Sequence, residues 1–264
     1  MLCSQRSRAL ETGELHGILG SVNHSSDGLV VALDGPASSG KSSVGAAAAL
    51  RLGYRFCDTG LLYRAATWLA LRRGVRVEGE GADPLALVAL VPEIELVPDE
   101  NGRLAHVSVD GEDVTDDVHT PRVDEAVSAV SRVPELRTAL LERQRALASE
   151  PGGIVMAGRD IGTVVLPDAD LKIFLDASAE ERARRRAEER GLTPESPEAR
   201  YILAQLRRRD ELDRNRAVAP LRPADDALHI VTDGNTFEQT VGAVVDAIQS
   251  AEKARAAAQA ATPQ

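Results

Sequence analysis

Apolar residues recur along this chain in two rhythms, as short uninterrupted runs and, between the runs, at helical spacing. Leu29-Val30-Val31-Ala32-Leu33, Ile154-Val155-Met156-Ala157 and Leu171-Lys172-Ile173-Phe174-Leu175 each end at a glycine or an aspartate. Such runs suit strands of a parallel sheet covered on both faces. Tyr54-Arg55-Phe56-Cys57 predicts a shorter strand ending at Asp58, and His229-Ile230-Val231-Thr232 the last one. Good helix formers at 46–50 stop at Gly53, and 61–73 reads as a helix stopped by Gly74. A helical stretch from about 122 to 148 is interrupted near Pro134 and reset by Pro151-Gly152-Gly153. Ser178 with Glu181, and Thr236 with Gln239, are spaced as capping boxes for two later helices. Gly191-Leu192-Thr193-Pro194-Glu195-Ser196-Pro197 breaks an Arg-rich helix from the next, which is expected to run to about Arg216, giving a hinged helical hairpin.

Residues 93–114 change character. Ile94-Glu95-Leu96-Val97 and Ala105-His106-Val107-Ser108-Val109 flank the turn Asp99-Glu100-Asn101-Gly102, and Asp110-Gly111 marks a second turn. This predicts a small antiparallel sheet inserted into an α/β protein. Elsewhere strands alternate with helices, so a parallel, doubly wound sheet with ligands at its strand carboxyl ends is expected. The Ala-rich end from Ala251 onward is expected to fray.

Composition narrows the partners. A formal charge of −10 with only 3% aromatic residues lacks the basic footprint and stacking surface of a nucleic-acid binder. A small phosphorylated substrate held by local arginines fits better. No run approaches the roughly 18 apolar residues of a membrane span, so no membrane partner is expected. Residues 1–27 have no apolar core for a signal peptide, and Glu11 and Glu14 argue against a transit peptide. Two cysteines, Cys3 and Cys57, form no disulfide framework and suit a reducing cytoplasm; Cys57 reads as a small buried hydrophobe.

The candidate chemistry begins at 35–42, Gly-Pro-Ala-Ser-Ser-Gly-Lys-Ser, which fits G-x-x-x-x-G-K-[ST] between a strand and a helix. Gly35 and Gly40 let the backbone curl, so that successive N–H groups and the helix start converge on a phosphate. Lys41 is placed to reach the β- and γ-phosphates, and the Ser42 hydroxyl to ligate Mg2+. Three further groups fall at strand ends or on the hairpin: 58–64, 158–160 and 209–216.

Those groups carry a resemblance. Asp58-Thr59-Gly60-Leu61-Leu62-Tyr63-Arg64, Gly158-Arg159-Asp160-Ile161-Gly162-Thr163-Val164-Val165, Lys172-Ile173-Phe174-Leu175-Asp176-Ala177-Ser178 and Asp213-Arg214-Asn215-Arg216-Ala217-Val218-Ala219-Pro220-Leu221 together resemble the bacterial cytidylate kinases. The likeness spans 28–250, and its last stretch is the most specific. It implies an α/β P-loop three-layer fold with a central parallel sheet, an antiparallel NMP-binding insert at about 84–130 and a helical lid at about 180–212. A disordered extension (1–27) and a frayed tail (251–264) would flank it, and a monomer is expected.

The resemblance implies γ-phosphoryl transfer from ATP to CMP or dCMP. ATP would lie against Gly35, Pro36, Ala37, Ser38, Ser39, Gly40, Lys41, Ser42 and Ser43. The acceptor phosphate is already a nucleophilic anion, so arginines are expected to outnumber acids and bases. By resemblance Arg64, Arg159 and Arg216 grip that phosphate, with Thr59 beside it, and Asp160 reads the cytosine amino group with Arg137 and Ser128. Arg137 has a solvated helix face as its alternative, and Asp160 has a rival role, holding Mg2+ or its waters. Arg209 and Asp213 form either a helical i, i+4 pair or the ribose contact. Arg185 or Arg186 would cover the transferred group from the lid. Two other readings stay open: another P-loop small-molecule kinase accepting UMP or AMP, and a non-enzymatic nucleotide switch. Against the switch, none of the four asparagines is followed by Lys, as a guanine-binding box requires.

Overall fold

The apolar run after Gly28 becomes β1 (Val30–Asp34), and neighbouring strands cover both its edges. In the computed structural model, which describes residues 28–77 and 83–261, β1 lies between β6 (Ile154–Gly158) and β7 (Leu171–Asp176), parallel to both. Parallel pairing continues from β6 to β2 (Arg55–Asp58) and from β7 to β8 (Leu228–Val231). The register sets Asp34 opposite Gly158 and Asp58 opposite Ala157. Strand ends that carry polar residues therefore share one edge of the sheet, where ligands of open α/β sheets bind.

Alternation along β1 divides the core. Val31 and Leu33 face α1 (Lys41–Leu52) and α8 (Phe237–Ala261), packing with Val44, Ala48, Val241 and Val244, whereas Ala32 faces Met156, Ile161 and Val165 on the opposite side. α5 (Pro134–Ser149) covers that second face. A separate apolar cluster joins α2 (Gly60–Arg72), α3 (Pro84–Ala89), α4 (Pro121–Val130) and α5 to β3 (Ile94–Pro98) and β4 (Arg103–Val109). Finally α6 (Ala179–Glu189) and α7 (Pro197–Arg214) form the hairpin, packing Ala183, Ala187, Ile202 and Leu206 against Ala37.

Several expectations change. The antiparallel ribbon of β3, β4 and β5 (Glu112–Asp113) forms, but it extends the central sheet, because β4 pairs in parallel with β2 through Phe56↔Arg103 and Cys57↔Leu104. Thr236 and Gln239 make both bonds of a capping box. At Ser178 only half the box forms: its hydroxyl accepts from the Glu181 N–H, while the Glu181 carboxylate turns to Arg184 and Arg185 and Asp233 accepts from the Ser178 N–H. α7 ends at Arg214, two residues short of the expected Arg216. α8 continues to Ala261, past the Ala251 where fraying was expected. Alanine favours helix, and two side-chain contacts pin this end: Tyr54 donates to Glu252 at 2.6 Å and Arg255 lies 3.6 Å from Asp170. The expected extension 1–27, with Cys3, lies outside the described residues; Cys57 is buried.

Candidate active site

The phosphate loop is shaped by contacts that only particular residues allow. A Cβ on Gly35 would stand 2.2 Å from the Leu175 carbonyl oxygen, so the loop can lie against β7 only with glycine there. Gly40 precedes α1 at φ 88°, and Ser38 is held at φ 58°, a left-handed conformation that a serine adopts at a cost and that is common where backbone must face a ligand. Lys41 is buried, and its Nζ donates to the Pro36 carbonyl at 2.8 Å across the loop. Burial, then the nearby Arg159, pushes its pKa well below the usual lysine value. The Ser42 hydroxyl donates to Asp58 Oδ2 at 2.5 Å, while Asp58 Oδ1 accepts the Gly60 N–H at 2.9 Å. Ser39 Oγ is buried without a hydrogen-bond partner.

Opposite this loop, in the same cleft of about 840 Å³, carboxylates hold arginines apart. Asp160, at the end of β6, accepts from Arg137 Nη2 through one oxygen and from Arg216 Nη2 through the other at 3.1 Å. Arg137 also donates to the Ser131 carbonyl at 3.1 Å and stands 5.5 Å over the Tyr63 ring. Arg216 Nε donates to the Ala219 carbonyl, and Ala219 itself has φ 51°. The Ala217-to-Leu221 loop thus bends against steric preference to aim one guanidinium. Arg159 Nε donates to Asp213 Oδ2 at 3.0 Å, and Arg209, whose Nε has no partner, is lowered to about 10 by burial and then by Arg159. Arg64 donates to the Val118 carbonyl at 3.0 Å and to Asp124 Oδ1 at 2.6 Å.

The hairpin reaches over both halves. Arg186 donates to Ser38 Oγ at 3.2 Å and lies 3.6 Å from Asp124. Arg185 bonds Glu181 at 2.9 Å and Thr232 Oγ1 at 3.0 Å. Arg182 is buried with Asp210 and donates to the Ala37 carbonyl at 2.9 Å.

Of the sequence-predicted site residues, Ala37 through Ser43 line the cleft, together with Thr59, Arg64, Ser128, Arg137, Arg159, Asp160, Arg185, Arg186, Arg209, Asp213 and Arg216. Gly35 and Pro36 stand behind it, shaping the loop. The helical pair expected as one option for Arg209 and Asp213 is not made, because Asp213 turns to Arg159 across the cleft. The solvated-face option for Arg137 also fails, since that side chain is buried against Asp160. Sequence reasoning passed over Asp34, His119 and Asp124, and placed Asp58 in the strand-end group 58–64 without giving it a role of its own. Asp34 and Asp58 carried a readable signal, each being an acidic residue that closes an apolar strand.

Ser42 and Asp58 are hard oxygen donors at the mouth of the loop, and this set fits Mg2+, which takes one or two protein oxygens and fills its shell with phosphates and water. Among the described residues no group of three or more His, Cys, Asp or Glu side chains gathers as a closed metal cage, and no helix is long and apolar enough to cross a membrane.

A phosphate loop at the carboxyl edge of a parallel sheet, a second arginine-lined half of the same cleft and a helical hairpin touching both define a P-loop small-molecule kinase. Comparison with known proteins specifies it further. The family model for cytidylate kinase matches residues 31–250, and the chain belongs to that family. The chain is 46% identical over 213 residues to a cytidylate kinase of Nocardia farcinica (81% of this chain, 90% of the relative) and 47% identical over 218 residues to one of Rhodococcus opacus (83% and 93%). It is 44% identical over 223 residues to a third, from Pelotomaculum thermopropionicum (84% and 97%).

Proposed function

We propose that this protein transfers the γ-phosphoryl group of ATP to CMP or dCMP, yielding ADP and CDP or dCDP. The observation that carries the reading is one cleft in which the phosphate loop faces Asp160, a buried carboxylate held between Arg137 and Arg216. Cytosine presents an amino donor at N4 and acceptors at N3 and O2, and a carboxylate flanked by guanidinium donors complements that pattern. The acceptor phosphate supplies its own nucleophilic oxygen, so alignment and charge stabilisation suffice. Arg64, Arg159 and Arg216 hold the acceptor phosphate by bidentate donation. Lys41 and the loop N–H groups hold the donor, and Arg185 or Arg186 covers the transferred group when the hairpin closes over it. Ser42 and Asp58 would hold Mg2+, which neutralises charge on the β- and γ-phosphate oxygens.

A coupled ADP-release assay with Mg-ATP and CMP, dCMP, UMP or AMP tests this reading. Turnover should follow CMP and dCMP. Equal turnover with UMP or AMP, or ADP release independent of any acceptor, would reject it.

Two substitutions examine the acceptor side. Asp160→Asn should erode the preference for CMP over UMP by roughly 1–3 kcal/mol, because uracil O4 is an acceptor that an amide can meet. An unchanged kcat/KM ratio accompanied by a weaker Mg2+ dependence would assign Asp160 to the metal. Asp213→Ala should raise KM for CMP more than for dCMP, through loss of an acceptor for the ribose 2′-hydroxyl; parallel rises in both would leave Asp213 as the partner of Arg159 alone.

A further inference from the structure

The turn that presents Arg159 and Asp160 is fixed from behind by Asp34. This carboxylate closes β1, one residue before the phosphate loop, and is buried. Oδ1 accepts the Ile161 N–H at 2.8 Å and Oδ2 accepts the Gly162 N–H at 2.7 Å. The two donors belong to the start of a wide helical turn, Ile161–Val165, which follows Asp160 directly and winds five residues per hydrogen bond. Such turns recur at functional sites. Gly162 lies close under its neighbours: an added Cβ would stand 3.2 Å from the Lys172 side chain and 3.4 Å from Asp34 Oδ2. A single side chain thereby joins the strand that carries the donor loop to the turn that carries the acceptor-facing pair.

We propose that Asp34 is a positioning residue, which fixes the Arg159–Asp160 turn relative to the phosphate loop and so sets the alignment of acceptor with donor. The inference rests on the acceptor role given above to Arg159 and Asp160. In-line transfer tolerates little displacement: a shift of about 1 Å can lower a rate on the order of a hundredfold. Two N–H groups converging on one carboxylate leave the turn no alternative acceptor of the same geometry. Asparagine, though of the same size, offers only one acceptor atom and turns an amide N–H₂ toward the second N–H.

The energetics agree with a functional rather than a stabilising role. Burial raises the Asp34 carboxyl to about 6, with the Ile161 and Gly162 N–H groups opposing the rise. The charged groups facing it are Asp160 beside the turn and Lys41 of α1, with Lys172 of β7 on the far side of Gly162. A carboxyl whose folded pKa exceeds its unfolded value opposes folding wherever it is ionised, and that opposition fades as pH falls through about 6 toward 4. At pH 7.5 the chain thus carries a carboxylate that an uncharged residue would relieve.

The test compares Asp34→Asn with the wild-type protein at pH 7.5, using equilibrium ATP binding without acceptor, steady-state kinetics with CMP, and thermal melting. The expected result is a folded variant, ATP affinity within about twofold, kcat reduced about 10- to 100-fold and KM for CMP raised. Asp34→Ser, which is smaller and uncharged, repeats the measurement if the first variant does not fold. Unchanged kcat and KM in a folded variant, or ATP and CMP binding weakened together, would overturn the proposal. So would failure of both variants to fold, which would make Asp34 a residue of stability. A wild-type protein without CMP turnover would instead reject the functional reading itself, so the two failures are told apart.

Discussion

Lys41→Met is expected to lower kcat about a thousandfold, on the order of 4 kcal/mol of transition-state stabilisation, while leaving the folded protein at least as stable. The first half follows from placement. Nζ is held across the phosphate loop on the Pro36 carbonyl, which puts its charge at the centre of the donor cradle, in a buried position where such charges act strongly. Negative charge on the γ-phosphoryl oxygens has no equivalent partner once it is removed. ATP binding should fall much less, because the backbone N–H groups of 35–43 remain.

The second half follows from what burying this charge costs. Burial and then Arg159 push the Lys41 pKa down, with Arg209 adding to the repulsion and Asp58 and Asp213 opposing it. Protonated Lys41 is therefore a charge held at a cost to folding, and methionine fills a similar volume without it. Lys41→Arg should not rescue activity, since a planar guanidinium cannot occupy an ammonium position enclosed by the loop. Steady-state kinetics beside thermal melting check both halves. Activity within tenfold of wild type, or a melting temperature lowered by more than a few degrees, would contradict the argument.

What the sequence made legible was local. The phosphate loop lies between a strand and a helix that adjacent residues determine, and the short apolar runs mark β1, β6 and β7 without reference to anything distant. The pairing of β4 with β2 could not be read in this way, because backbone hydrogen bonds carry it and leave no side-chain pattern at 103–109. The site shows the same division. Arg64, Arg159 and Arg216 stand out by motif, but their counter-charges do not: Asp124 lies 60 residues from Arg64 and looks like any acidic residue on a charged helix. Asp34 is 127 residues from the Ile161 N–H it receives, and only the parallel register of β1 with β6 brings them together.

Arg182 shows how little the neighbours of a charge say about its burial, and it carries the largest expected loss of stability. In the sequence it belongs to a mixed run of arginines and glutamates, a pattern that taken alone marks a solvated face. In the fold only 2% of it is exposed, and its guanidinium donates to the Ala177 carbonyl at 3.0 Å, the Ala37 carbonyl at 2.9 Å and both oxygens of Asp210, itself 4% exposed. It therefore ties α6 to α7 and both to the phosphate loop. Arg182→Met leaves Asp210 buried without a counter-charge, at a cost of about 3–5 kcal/mol, which in a chain of this size lowers the melting temperature by roughly 6–20 °C. Asp210→Leu should cost a similar amount for the converse reason. The double variant Arg182→Met/Asp210→Leu separates pairing from packing: removing both charges together should restore most of the stability, since an apolar pair needs no desolvated ions. It should not restore activity, because the Ala37 carbonyl has lost its donor and the loop beside Ser38 its anchor, so KM for ATP stays raised. Additive losses in the double-mutant cycle would show that the two residues act separately, and full recovery of ATP affinity would show that Arg182 braces the hairpin without positioning the phosphate loop.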